Sequence, residues 1–262
     1  MDLQLKNQVA LVTASSKGLG KASALALARE GARIVMSARS ELLETAAAEI
    51  RAETGAEVIT VRGDVSRQED IDQMVQVALD HFGQVDILIA NCGGPKPGNF
   101  LDLTPADWEA ASAVTLMSVV RLCYAVVPQM VARGQGSIVA IQSYSVKQPV
   151  EGLILSNSLR LAVIGLMKSL ANELGPKGIR VNSLNPAWTW TERVEQLMAD
   201  RAARTGTTAD EQVAGITKAV PLGRMGTVEE FGKTIAWLAS PAAAFIHGSA
   251  VMFDGGAVKA AL

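Results

Sequence analysis

The residues best suited to chemistry form two groups, one for holding phosphate and one for moving a proton. The first is the run Thr13-Ala14-Ser15-Ser16-Lys17-Gly18-Leu19-Gly20, between a β-branched stretch and an alanine-rich one. Glycines at a strand-to-helix turn let backbone N–H groups approach a diphosphate, and the helix N-terminus favours its charge. An ordinary tight turn also contains such glycines. The place of this one, after the first strand and at the head of a βαβ unit, favours the phosphate reading. Selectivity is then set where the second strand ends, at Ser37-Ala38-Arg39. A site for NAD puts an acid there for the ribose 2′-hydroxyl, and a site for NADP supplies a cation instead. Ala38 is no acid, and Arg39 with Lys17 favours NADP(H). Two solvated surface cations are the alternative.

The second group is sparser. Ser143 closes the apolar run Ile138–Gln142, with Tyr144 next to it and Lys147 in the following loop. Ser156 and Arg160 are four residues apart, on one face of a helix. A serine hydroxyl has no pKa near working pH, and arginine stays protonated, so neither is an ordinary proton donor. Arg160 either orders ribose hydroxyls and stabilises an alkoxide, or is tied to backbone carbonyls beneath the pocket. Tyr144 and Lys147 are alternative donors; cleft lining is the other reading of Tyr144. Tyr124 and Cys92 read as packing, and His81 and His247 as surface or interface residues. Cys92 and Cys123 form neither a disulfide framework nor a metal pattern, so no metal is expected.

The elements that must position these groups alternate. Strand-like runs are Val9–Val12, Arg33–Ser37, Glu57–Val61, Asp86–Ala90, Ser137–Ile141, Ile179–Leu184 and Ala250–Phe253. Helical segments are expected near 18–30, 40–53, 67–82, 104–132, 151–174 and 228–239. The pattern predicts an α/β fold: a single doubly wound Rossmann-type domain over 1–262, its seven-stranded, mostly parallel sheet covered by helices on both faces. The segment around 188–226 is a long excursion before the last strand, read as a substrate lid. Its Trp188, Trp190, Val194, Leu197 and Met198 suit a partly apolar substrate, and its charged arm from Glu192-Arg193 reads as a solvated helix face. Charges nearly balance, with 24 Lys and Arg against 26 Asp and Glu, which argues against a nucleic-acid partner. No apolar run is expected to span a bilayer, no signal peptide is evident, and a cytoplasmic location is expected.

The chain resembles the short-chain dehydrogenase/reductase family, nearest to its 3-oxoacyl-[acyl-carrier-protein] reductase-like members. Thr13–Gly20 is similar to that family's TGxxxGxG turn, with Ala14 in place of the first glycine. Gly63-Asp64-Val65 resembles the stretch whose aspartate contacts adenine, and Ala90-Asn91-Cys92-Gly93 its NNAG strand end. Asn185-Pro186-Ala187 and Thr191 resemble its Pro-Gly turn and its nicotinamide- or phosphate-contacting threonine, and Val251–Gly256 its final strand and turn. The likeness runs from Val9 to Gly256. Thr115, Ser143, Ser156 and Arg160 stand at the positions of the family's Asn-Ser-Tyr-Lys tetrad, so only the serine is kept.

The resemblance implies an NADP(H)-dependent oxidoreductase moving hydride between nicotinamide and a carbonyl or alcohol, with a tetramer or dimer as the assembly. The apolar stretches Val114–Val127 and Leu161–Leu170 suit such pairing, and burial within one subunit explains them equally. A catalytically silent nucleotide-binding protein is the second reading. A third is a fold that has lost nucleotide binding as well, because Ala14 adds a methyl group where backbone must come close.

Overall fold

The computed structural model describes residues 1–260. Seven strands form one sheet in the order β3-β2-β1-β4-β5-β6-β7. They are β1 (Val9–Val12), β2 (Arg33–Ala38), β3 (Val58–Arg62), β4 (Ile87–Ala90), β5 (Gly136–Ile141), β6 (Ile179–Pro186) and β7 (Ala250–Phe253). Every neighbouring pair is parallel, so the sheet is parallel throughout. The strand order reverses between β1 and β4. That opens a crevice beyond the carboxyl ends of the strands.

Parallel strands joined by helical crossovers are buried on both sides, so their side chains need not alternate apolar with polar. Ala10, Val12, Ile34 and Met36 face one layer, formed by α1 (Gly18–Arg29), α2 (Leu42–Thr54) and α9 (Val228–Ala239). Val9, Leu11, Val35 and Leu88 face the other, formed by α3 (Gln68–Phe82), α5 (Ser118–Arg133) and α6 (Ile154–Leu174). Gly232 lets α1 and α9 meet closely: a β-carbon there would stand 2.5 Å from the Ala22 carbonyl oxygen.

The helix expected over 104–132 is not uniform. It runs as α4 (Pro105–Ser112), a π-helical segment (Ala113–Met117) and then α5. The excursion before β7 carries two helices, α7 (Glu192–Thr205), where the charged arm reads as a helix face, and α8 (Ala209–Thr217), which the sequence pattern did not mark. In α7, Val194, Leu197, Met198 and Ala202 fall at helical spacing, with Met198 and Ala202 buried, whereas no residue of α8 is buried.

The expectation about membrane-length runs needs correction. Pro105–Arg133 and Ile154–Lys177 are long and apolar enough to cross a bilayer, with mean hydropathy 1.8 and 1.3. Both also pack one side against the sheet. Tyr124 is not packing inside the subunit either: it is 78% exposed on the outer face of α5.

Candidate active site

The glycine turn is built by hydroxyls that face the sheet. Thr13 donates to the Asn91 carbonyl at 2.7 Å and accepts from its N–H at 2.9 Å. Ser15 donates to the Val12 carbonyl at 2.9 Å and accepts from the Ser37 N–H at 3.1 Å. Both side chains are fully buried and hold the turn against β4 and β2 instead of facing the crevice, so a ligand would meet only their backbone.

Between them Ala14 adopts a left-handed backbone, φ +47°. A β-carbon makes that conformation cost about 1–2 kcal/mol. The Asn91 side chain holds it by donating to the Ala14 carbonyl at 3.2 Å. Gly20 must then be glycine, because a β-carbon would meet that carbonyl and come within 2.9 Å of Asn91 Nδ2. Lys17 occupies the N-cap of α1 without a side-chain capping bond. The first N–H groups of α1 are thus left for an incoming acceptor.

These features form the floor of a crevice of about 540 Å³, with Ser16, Lys17, Gly18 and Leu19 in its wall. Ala14 also lines it, and its methyl group does not close it. At one end Arg39 Nη1 lies 3.1 Å from Asp64 Oδ2. Burial disfavours the Asp64 carboxylate, yet hydrogen bonds from Ser66 and the Arg39 guanidinium together hold its carboxyl below the usual range. Val65, Asn91 and Gly93 line the crevice further along, and Thr191 closes it from above.

The residues of the proton-moving group gather beside the crevice rather than in its wall. Ser143 ends β5 and caps a short 3₁₀ turn, Tyr144–Val146, by accepting from the Ser145 N–H at 3.2 Å. Ser156 is buried in the first turns of α6, its hydroxyl 3.5 Å from that of Ser145. Ser145, absent from the sequence reading, is thus the nearest hydroxyl to the tyrosine-replacing serine.

Arg160 is 8% exposed and its Nη1 points to the Ile141 carbonyl and Gln142 Oε1, both at 3.4 Å. It lies beneath the crevice and is not part of its wall, so the expectation of a direct ribose contact is not what this geometry displays. Cys92 does line the crevice; burial pushes its thiol up, while the neighbouring Arg160 pulls it down. Thr115 is buried in the π-helical segment, and its hydroxyl has no partner among the described residues. π-Helical turns are rare and recur at functional sites.

Tyr144 turns from Ser143 toward Trp188 and Arg201. Burial raises its phenol pKa, with Trp188 and Arg201 beside it pulling the other way. Arg201 lies over the Trp188 ring at 5.6 Å. Lys147 is exposed at the end of the turn. His247 is locked in the packing: its Nδ1 accepts from the Val181 N–H at 3.2 Å, which leaves Nε2 to donate to the Ala171 carbonyl at 2.8 Å. His81 pairs with Glu57 on the surface. Pro186 is buried at the end of β6, and Ala187 and Thr189 reach the crevice instead. The sequence reading also missed Glu192 and Arg193, which line the crevice from the first turn of α7 beside Val194.

Known proteins share both this chain's sequence pattern and its fold. A family model described as "Enoyl-(Acyl carrier protein) reductase" covers residues 13–258. The chain belongs to the short-chain dehydrogenase/reductase family. It is 34% identical over 257 residues to a 3-oxoacyl-[acyl-carrier-protein] reductase of Synechocystis sp., covering 97% of this chain and 98% of that one. With dehydrogenase/reductase SDR family member 4 of Oryctolagus cuniculus it shares 35% identity over 255 residues, covering 97% of this chain and 94% of the relative. Among solved structures, L-sorbose reductase from Gluconobacter frateurii, complexed with NADPH and L-sorbose, superposes with a TM-score of 0.96. It is 31% identical, over 99% of this chain and 100% of that one. The chain is therefore a short-chain dehydrogenase/reductase-like oxidoreductase, similar to 3-oxoacyl reductases among others.

Proposed function

We propose that this oxidoreductase uses NADP(H) in preference to NAD(H), and interconverts a small carbonyl compound and its alcohol without a tyrosine donor. The observation that carries the coenzyme reading is the crevice itself: the uncapped start of α1 on its floor, with Lys17 and Arg39 at the end where a ribose 2′-phosphate falls. The residues present fit such a group. Gly20 keeps the backbone approach open, and α1 offers N–H donors without competitors. The NADPH in L-sorbose reductase supports the same choice.

When bound, reduced nicotinamide supplies hydride. The chain's own part is to bind, orient and protonate. The Ser143 hydroxyl polarises the carbonyl oxygen. Ser156 and Ser145, 3.5 Å apart, order a water molecule that brings the proton a shorter side chain cannot deliver itself. Arg160, buried beneath them and always protonated, supplies a field that stabilises the developing alkoxide. The segment 188–226, with Trp188 and Val194, forms the lid over an apolar part of the substrate.

Turnover of NADPH with β-ketoacyl thioesters, diketones and quinones tests this reading. The expected result is slow but measurable oxidation, since a general acid typically contributes about 10²–10⁴-fold and the other terms remain. Ser143→Ala should lower kcat and leave NADPH affinity intact. NADPH binding without oxidation by any of these carbonyls would favour the silent nucleotide-binding reading instead.

A further inference from the structure

The first turn of α7 lies directly over the glycine turn. Thr191, its N-cap, brings Cγ2 to 3.7 Å from where a β-carbon on Gly18 would stand. Two residues further, Arg193 reaches across to the loop after β4, with Nη2 4.0 Å from the corresponding position on Gly94. Arg193 therefore spans the crevice from its upper wall to its far wall. Among the described residues it forms no ion pair, whereas Arg39 at the other end is held by Asp64. Glu192 is also in the wall and carries the opposite charge. Attraction for an anion at this point thus comes from the Arg193 side chain, with the helix terminus beside it partly offset.

The position of Arg193 identifies the anion. Arg39 and Asp64 mark the adenosine end, and α1 lies under the middle of the crevice. Gly93, Gly94 and Val114 mark the opposite end. A dinucleotide laid along this path has two phosphates over α1, and the one joined to the nicotinamide riboside is nearer Gly94. We propose that Arg193 is the ligand of that phosphate. By holding it, Arg193 draws the first turn of α7 down over the coenzyme, so that occupancy and lid closure are coupled. This inference rests on the coenzyme reading above.

Three probes separate the phosphates: NADPH, 2′-phospho-ADP-ribose and adenosine 2′,5′-bisphosphate. Only the first two carry the phosphate on the nicotinamide side. Calorimetric titration of Arg193→Gln should show NADPH and 2′-phospho-ADP-ribose weakened about 10- to 100-fold, the loss of one charge-assisted contact. Adenosine 2′,5′-bisphosphate should bind within about twofold of wild type, which also certifies the fold. Arg193→Lys should recover part of the loss. Arg204→Gln, at the far end of the same helix, should change nothing.

Equal weakening of all three ligands, or of none, would overturn the assignment. So would a variant with unchanged coenzyme binding and a raised KM for an anionic carbonyl substrate, since Arg193 would then serve the substrate. If wild type binds none of the three, the coenzyme reading falls first and the clamp falls with it.

Discussion

Replacing Arg39 with alanine should lower the preference for NADPH over NADH about tenfold. Arg39 is exposed, 72% at its side chain, and among the described residues its guanidinium pairs with Asp64 at 3.1 Å. A charge-assisted hydrogen bond to phosphate contributes about 1.5–3 kcal/mol. Two features push the figure to the low end. Solvent screens an exposed guanidinium, and the phosphate must share it with the Asp64 carboxylate, which stays ionised well into acid. About 1.5 kcal/mol corresponds to roughly a tenfold loss of NADPH affinity. NADH has no 2′-phosphate, so its affinity should move by less than about twofold. Removing Arg39 also frees Asp64 to accept from a ribose hydroxyl, which would help NADH slightly. Titration calorimetry with both nucleotides, on wild type and on Arg39→Ala, reads the ratio directly. The wild-type preference should shrink as salt is raised, because the contact is near the surface. Adding Lys17→Ala should remove a further part. Equal losses for NADPH and NADH would show that Arg39 only supports the fold there, and no loss for either would remove it from the site.

Three further outcomes follow from the packing. Asp86 is 2% exposed, pairs with Arg133 at 2.6 Å and accepts from the Val9 N–H at 2.8 Å, at the end of the sheet away from the crevice. Arg133→Ala strands that carboxylate and should cost about 3 kcal/mol, lowering Tm by roughly 6–12 °C with NADPH affinity unchanged; a drop of under about a degree would contradict the pairing. The Glu230 carboxyl, held to about 2 by Arg224 and then by the Thr227 N–H, is lowered from 4.5. A depressed pKa stabilises above the unfolded value and is lost as pH falls through the folded one. The Tm gap between wild type and Glu230→Gln should therefore be full above 4.5 and close toward pH 2, and a gap that widens in acid would refute it. Ala14→Gly relieves the left-handed alanine and should raise stability by up to about 1 kcal/mol without weakening NADPH, as melting and titration together would register.

Much of this molecule was legible because strands buried on both faces announce themselves. β1 and β7 have the bounds their β-branched runs imply, and the glycine turn lies where its spacing places it. The excursion over 188–226 was legible as a segment, but its course over the crevice was not, for a physical reason. α8 buries nothing, the stripe of Val194, Leu197 and Met198 in α7 does not say what it packs against, and Arg193 reads as one more solvated charge until the chain folds over Gly94. Thr13 and Ser15 were assigned to the ligand on motif position alone, but a hydroxyl beside a turn is as readily used to tie strands together. Arg160 left two readings open, and its carbonyl and amide partners show the cation beneath the pocket. The π-helical turn at Thr115 has no signature in hydropathy, because one extra residue in a helix barely shifts the pattern. Tyr124 illustrates a related limit: apolar periodicity tells which face is covered without telling by what.

The measurement that bears most directly on the central claim is isotope transfer. The protein would be mixed with NADPH deuterated at the hydride-donating carbon and a panel of carbonyl compounds, and the products analysed by mass spectrometry. Hydride transfer without a tyrosine donor predicts one deuterium in the product alcohol, formed more slowly by Ser143→Ala and Ser156→Ala than by wild type. Nucleotide retained by the protein, with no deuterium in any product, would contradict it and leave a coenzyme-binding fold that no longer reduces.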